Sequence, residues 1–255
     1  MTSFSFSTRP ADPRLRPWIR GCWEFFARDG APPAHHVPPD GTAFLVLIEP
    51  APRLVAFGPH IEPLIIPTAP GVRYRGLHLA PEAAPLLVGV KAGLLLTSPI
   101  TINRLGPVDA DSIITALRSG SADTAAAAID QLFLPVVGQL PTPDPVAAAA
   151  LQLIQKSRGA APLAEVARAT GVSERTLLRR IKTATGLTPK QHSRIARFFA
   201  AAHGMLDPDH RLSGIAALGG YADQPHFHHE VTALTGLTPA QLAQRVRQTE
   251  HRLNR

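Results

Sequence analysis

Apolar positions in the first half of the chain come in short runs. Ala43-Phe-Leu-Val-Leu-Ile48, Arg53-Leu-Val-Ala-Phe57 and Val72-Arg-Tyr-Arg-Gly-Leu-His-Leu79 are each bounded by Pro, Gly or Asp, as strands are. The pattern predicts roughly six or seven strands there. From Asp109 the period changes. Ile113, Ile114 and Leu117, then Ala125 through Leu134, recur at helical spacing and predict two helices that close this part of the chain. Alternate prolines in Gln139-Leu-Pro-Thr-Pro-Asp-Pro145 hold the backbone extended, which marks a linker. Beyond it the helical period runs almost throughout, with a first helix expected over Val146 to Gln155 and turn signals at Gly159, Gly171, Gly186, Pro208 and Gly236. The fold class is therefore α+β in two domains: a β-rich unit over 1–138, a linker over 139–145 and an all-α unit over 146–255.

The all-α half repeats itself. Leu163-Ala-Glu-Val-Ala-Arg-Ala-Thr-Gly171 matches Leu212 to Gly220, with Val166-Ala167 recurring as Ile215-Ala216 at an offset of 49. Downstream, Thr185-Gly-Leu-Thr-Pro189 recurs identically as Thr235-Gly-Leu-Thr-Pro239 at an offset of 50, so one residue is inserted between the matched stretches. Each copy reads as a short helix, a turn opened by Gly171 or Gly220, and a second helix capped by Ser173 or Asp223, which is helix-turn-helix order. Val166, Val172, Leu177 and Ile181 in one copy, and Ile215, Tyr221, Phe227 and Val231 in the other, are spaced to lock the two helices at an angle and are assigned to the core. Thr188 or Thr238 can cap the next helix, with proline in its first turn and Gln191 or Gln241 completing a capping box.

A helix placed this way can enter the major groove and read base edges with its outward face. In the first copy that face carries Ser173, Glu174, Arg175, Thr176, Arg179 and Lys182. Arg175 and Arg179 are one turn apart and suited to guanine. In the second copy it carries Gln224, Pro225, His226 and His229: Gln224 suits adenine, and the histidines can donate to bases or phosphates. The helix from Pro189 to about Met205 would fix the separation of the two reading helices, so that they meet successive major-groove faces about one helical turn apart.

Charge points the same way. Residues 1–142 hold 11 Lys and Arg against 11 Asp and Glu, whereas residues 143–255 hold 15 against 8 and account for the whole net charge of +7. Concentrated positive charge is the footprint of a phosphate-binding surface. The chain has no run of apolar residues long enough to span a membrane and no secretory pattern at its start, so a cytoplasmic protein is expected. One cysteine, Cys22, excludes an internal disulfide framework and a multi-thiolate zinc site, and is assigned to packing. His226-Phe-His228-His229-Glu230 lacks the spacing that puts two imidazoles on one helical face, and His35, His36, His60 and His78 have no carboxylate at a fixed spacing; neither group is assigned a metal.

These residues resemble the AraC/XylS family of bacterial transcriptional regulators. Gly220-Tyr221-Ala222-Asp223-Gln224-Pro225-His226-Phe227 and Gly236-Leu237-Thr238-Pro239 follow the second unit of that family, and the likeness covers roughly residues 146–248. It implies a bipartite seven-helix DNA-binding domain acting on promoters. His229 and Val231-Thr232 stand where the family commonly has Arg and then Phe-Lys, which shifts the expected weight of binding to the first unit and its Arg179 and Lys182. The first half resembles the family's small β-barrel sensor domains through Val37-Pro-Pro-Asp-Gly41, Phe57-Gly-Pro59 and Gly76-Leu-His-Leu-Ala-Pro81. That likeness implies a cupin-like barrel with effector-binding or dimerising duty. Trp18, Trp23, Phe25, Arg73 and Arg75 are candidates to line a pocket for an anionic or aromatic effector, with packing the alternative for each.

The reading that results is a sequence-specific, effector-responsive transcriptional regulator with no cofactor and no catalytic residue. Its partners are double-stranded promoter DNA, with a small-molecule effector, RNA polymerase and a second copy left open. Two alternatives stand beside it. An enzyme, either a metal-dependent cupin or a DNA-repair methyl acceptor using Cys22, lacks any nucleophile-and-base or paired-carboxylate arrangement. A sequence-indifferent DNA-packaging protein would need the basic half but not the ordered repeat and caps.

Overall fold

A computed structural model describes residues 3–205, 214–216 and 219–253, with backbone alone for 246–253. The strands of the first half are β1 (Phe4–Pro10), β2 (Ile19–Ala27), β3 (Ala34–Val37), β4 (Ala43–Ile48), β5 (Arg53–Phe57), β6 (Leu64–Pro67), β7 (Arg73–Leu79), β8 (Ile100–Ile102), β9 (Arg104–Leu105) and β10 (Val108–Asp109). There are more of them than the pattern predicts, because pieces of two to four residues are too short to display a period. Near the C-terminus β11 (Thr249–Leu253) joins them. A seven-stranded sheet runs in the order β11-β1-β2-β7-β4-β5-β8, antiparallel except where β11 lies parallel to β1. β3 and β6 form a separate two-stranded ribbon.

Strand alternation gives the sheet two different faces. Cys22, Leu45, Leu47, Leu54, Leu77 and Leu79 point to one, where they form the main core with Ile113, Leu117, Ile129 and Phe133. Those last four come from α3 (Ala110–Leu117) and α4 (Ala122–Phe133), the two expected closing helices, which are capped by Asp109 and Ser121. Two short helices, α1 (Ala84–Val88) and α2 (Ala92–Thr97), precede them; at five and six residues they carry too few turns to show a period. The opposite face is aromatic: Phe4, Phe25 and Ala27 are buried there with Trp23, Ile66 and Tyr74 against them.

The segment predicted as a linker is anchored. A 3-10 turn spans Leu134–Gln139, Leu140 is buried in the main core, and the Trp18 indole N–H donates to the Pro141 carbonyl at 2.7 Å. Asp144 then caps α5 (Pro145–Lys156) through the Val146 and Ala147 amides. The rest is α6 (Leu163–Ala169), α7 (Glu174–Thr185), α8 (Pro189–Gly204), a helical piece at residues 214–216, α9 (Gln224–Thr235) and α10 (Pro239–Gln248). The turn expected at Pro208 and the start of the second repeat at Leu212 lie outside the described residues. No helix among the described residues is long and apolar enough to cross a membrane.

Two small cores occupy this half. Ala147, Leu151, Ile154, Val166, Leu177 and Ile181 build the first, and Phe198, Met205, Ile215, Tyr221, Phe227, Val231 and Leu234 the second. α8 serves both, lending Ala196 to one and Phe198 and Ala201 to the other. Burying side chains such as Phe198 and Phe227 contributes about 1.5–3 kcal/mol each, so the two units are packed onto one shared rod.

Candidate nucleic-acid interface

The repeat is structural down to its hydrogen bonds. Gly171 and Gly220 turn the chain with φ of 70° and 66°, a left-handed conformation in which any other residue is strained. The Ser173 hydroxyl then accepts from the Thr176 amide, and the Asp223 carboxylate from the His226 amide, so α7 and α9 start at the expected caps. At the far ends Thr185 donates to the Ile181 carbonyl and Thr235 to the Val231 carbonyl. Thr188 with Gln191, and Thr238 with Gln241, make the two expected capping boxes.

Apolar burial decides which face of each reading helix is left to solvent. Leu177 and Ile181 are fully buried under α7, and Phe227, Val231 and Leu234 under α9. Ser173, Glu174, Arg175, Arg179 and Lys182 are consequently exposed, with Thr176 half-buried and its hydroxyl accepting from Ser173. Arg180 is on a different flank, where it pairs with Asp144 at 3.4 Å and ties α7 to the start of α5. On α9, Gln224, Pro225, His226 and His229 are exposed, and the His226 ring meets Tyr221 edge-on at 5.4 Å.

Two exposed groups were given no DNA contact by the sequence reading. His228 borders a hollow of about 260 Å³ between the starts of α9 and α10, lined also by Gln224, Phe227, Thr238, Pro239 and Ala240. Lys190 stands exposed in the first turn of α8, where the Thr-Pro-x-Gln motif drew attention to the cap and away from its intervening residue. A cation directly after a reading helix is the signal that would have found it.

The candidate effector residues do not converge. Trp23 pairs across the sheet with Gly76 and Phe25 with Tyr74, whereas Glu24 pairs with Arg75 and Phe26 with Arg73, so the two aromatics and the two arginines are on opposite faces. Arg73 and Arg75 are held by Glu24 at 2.8 and 2.7 Å, and Arg75 also donates to the Leu117 carbonyl. Trp23 and Phe25 instead join Phe6, Phe44, His78 and His35 on the aromatic face, where the Trp23 indole N–H is buried without a hydrogen-bond partner. Trp18 is committed to Pro141.

Burial keeps the remaining reactive groups quiet. It pushes the Cys22 thiol up to about 12, so the thiolate that a nucleophile or metal ligand requires does not form near neutrality. His78 and His60 are lowered, first by burial, and are neutral rings near neutral pH. Among the described residues no three His, Cys, Asp or Glu side chains come together as a metal-holding group.

Residues 166–245 match the family model of a helix-turn-helix domain. Among solved structures, the C-terminal domain of AraT, a response regulator from Geobacillus stearothermophilus, is 29% identical, covering 40% of this chain and 85% of that one with a TM-score of 0.37. An AraC-type DNA-binding-domain regulator from Chromobacterium violaceum is 21% identical over 40% of this chain and 92% of its own, with a TM-score of 0.38. ToxT from Vibrio cholerae O395 is 10% identical over 96% of this chain and 98% of its own, with a TM-score of 0.48. No curated protein matches this sequence. With its two capped helices and the matching family model, the segment 166–245 is a helix-turn-helix domain.

Proposed function

We propose that one chain reads two successive major-groove segments of promoter DNA, α7 entering one and α9 the next about one helical turn away. The observation that carries this reading is the pair of capped helices with exposed polar faces, built on the single helix α8. Arg175 and Arg179 contact guanine, flanked by Ser173, Glu174, Thr176 and Lys182. Gln224 contacts adenine, Pro225 sets the first turn of α9, and His226 and His229 donate to bases or phosphates. Lys190 adds a phosphate contact beside the first unit.

Residues 1–138 form the regulatory domain, residues 139–145 the connection and residues 146–255 the DNA-binding domain. Any small-molecule effector binds on the Trp23 and Phe25 side of the sheet, since Arg73 and Arg75 are committed to Glu24. The protein acts in the cytoplasm by binding DNA rather than by catalysis.

Selection of bound duplexes from a random pool at about 0.15 M salt tests the reading. A motif of two blocks about one helical turn apart is the expected result. No motif, with binding that disappears as salt rises, would reduce the interface to a nonspecific basic surface.

A further inference from the structure

The second reading helix is set against α8 by a polar contact as well as an apolar one. Arg194 Nε on α8 donates to Glu230 Oε2 on α9 at 2.7 Å, and the two side chains are 30% and 16% exposed. Glu230 directly follows His229 and lies on the inner flank of the helix whose outer flank carries His226 and His229. The surroundings are sparse in compensating bonds. The Tyr221 hydroxyl, in the turn before α9, is buried without a hydrogen-bond partner, and so is Arg197 Nε, one turn along α8 from Arg194. Burial above all, then the charge of Glu230, holds the Tyr221 phenol up at about 12, so it remains neutral next to the pair.

The apolar contacts of Phe227, Val231 and Leu234 hold α9 onto α8, each individually non-directional. An N–H to carboxylate bond constrains both distance and angle. A partly enclosed ion pair is a weak source of net stability, and its best-attested use is to fix register. α8 carries this pair at one end of its contact with the second unit while its Ala196 packs into the first.

We infer that Arg194 and Glu230 are the positioning pair that sets the angle of α9 on α8, and through it the spacing between the two DNA blocks that the protein accepts. This rests on the two-helix reading proposed above. The pair touches no base, so it governs how far apart the blocks stand and leaves the sequence of each block alone.

The test uses the full chain and duplex libraries in which the two selected blocks are separated by spacers of graded length. Wild type is expected to prefer one spacer over those one base pair longer or shorter by about tenfold. In Glu230→Gln that preference falls to within about threefold while each block keeps its base preferences, and the charge-reversed double variant Arg194→Glu with Glu230→Arg restores it. A Glu230→Gln protein that keeps the tenfold preference overturns the inference. If Glu230→Gln unfolds early in a thermal melt, Arg194→Leu with Glu230→Leu replaces both charges with apolar side chains, and retention of the sharp spacing in that protein overturns the inference equally. A wild type that accepts all spacers alike overturns the two-helix reading itself, which separates the two failures.

Discussion

Gly186, the left-handed cap of α7, lies against Leu96 of α2: a Cβ on the glycine would stand 2.5 Å from Leu96 Cδ1. α7 therefore ends on the first half of the chain, and α8 passes Gly41 of that half, where an added Cβ would meet Ile195 at 3.5 Å. Gly186→Ala is expected to cost about 1–2 kcal/mol from its φ of 81° alone, with the collision adding to it. Adding Leu96→Ala should recover the collision and not the backbone strain, measured as urea midpoints of the single and double variants. A double variant no more stable than the sum of the two singles would place Leu96 away from α7.

Arg175→Ala and Arg179→Ala are each expected to weaken binding to the selected duplex by about 1–3 kcal/mol and to relax preference at one base pair. Lys190→Ala should weaken binding to all duplexes alike and lower the salt slope by about one. Titrations against singly substituted duplexes separate the two kinds of contact. Uniform loss in the arginine variants would make them phosphate contacts.

His192 gives a pH dependence with a definite sign. It is buried on α8 with Nε2 3.0 Å from the Thr185 hydroxyl, and burial, then Arg20 from the other half of the chain, lowers its pKa from 6.5 to about 4. The unfolded chain takes up a proton there below 6.5, whereas the folded chain does so only near 4. Stability is thus unaffected above the unfolded value and falls as pH drops from about 6.5 to 4, by up to about 3 kcal/mol. His78 and His60, lowered as well, add to the same decline. Thermal melts between pH 7.5 and 4.5 should show it, and His192→Gln should flatten it in part. An unchanged slope in that variant would assign the decline to other groups.

How far the sequence could be read depended on whether a feature was local. The caps at Ser173 and Asp223, the boxes at Thr188 and Thr238 and the buried Leu177 and Phe227 all follow from residues within a few positions of one another. The grouping of Trp23 and Phe25 with Arg73 and Arg75 failed because it needs the register between β2 and β7, strands separated by some fifty residues, and a shift of one position exchanges the faces. The parallel strand at Thr249–Leu253 was equally invisible, since nothing in five residues after a helix indicates which distant edge they will meet.

The same register makes Glu24 a structural residue. Arg75, with a side chain 16% exposed, depends on it, whereas Arg73, 44% exposed, is largely solvated. Glu24→Gln should therefore destabilise the fold by about 1–3 kcal/mol, leaving an enclosed guanidinium short of its partner, while Arg73→Ala changes it by no more than about 1 kcal/mol. Equal effects in denaturant melts would mean that the two arginines share Glu24 evenly.

The most direct test of the central claim is modification interference at purine N7, by methylation of guanine and carbethoxylation of adenine, an atom that lies in the major groove of both. With wild-type protein on its selected duplex, interference is predicted at two clusters about one helical turn, or roughly ten base pairs, apart on one face of the DNA. Interference confined to a single cluster, or absent from both, would contradict the entry of α7 and α9 into successive major-groove segments.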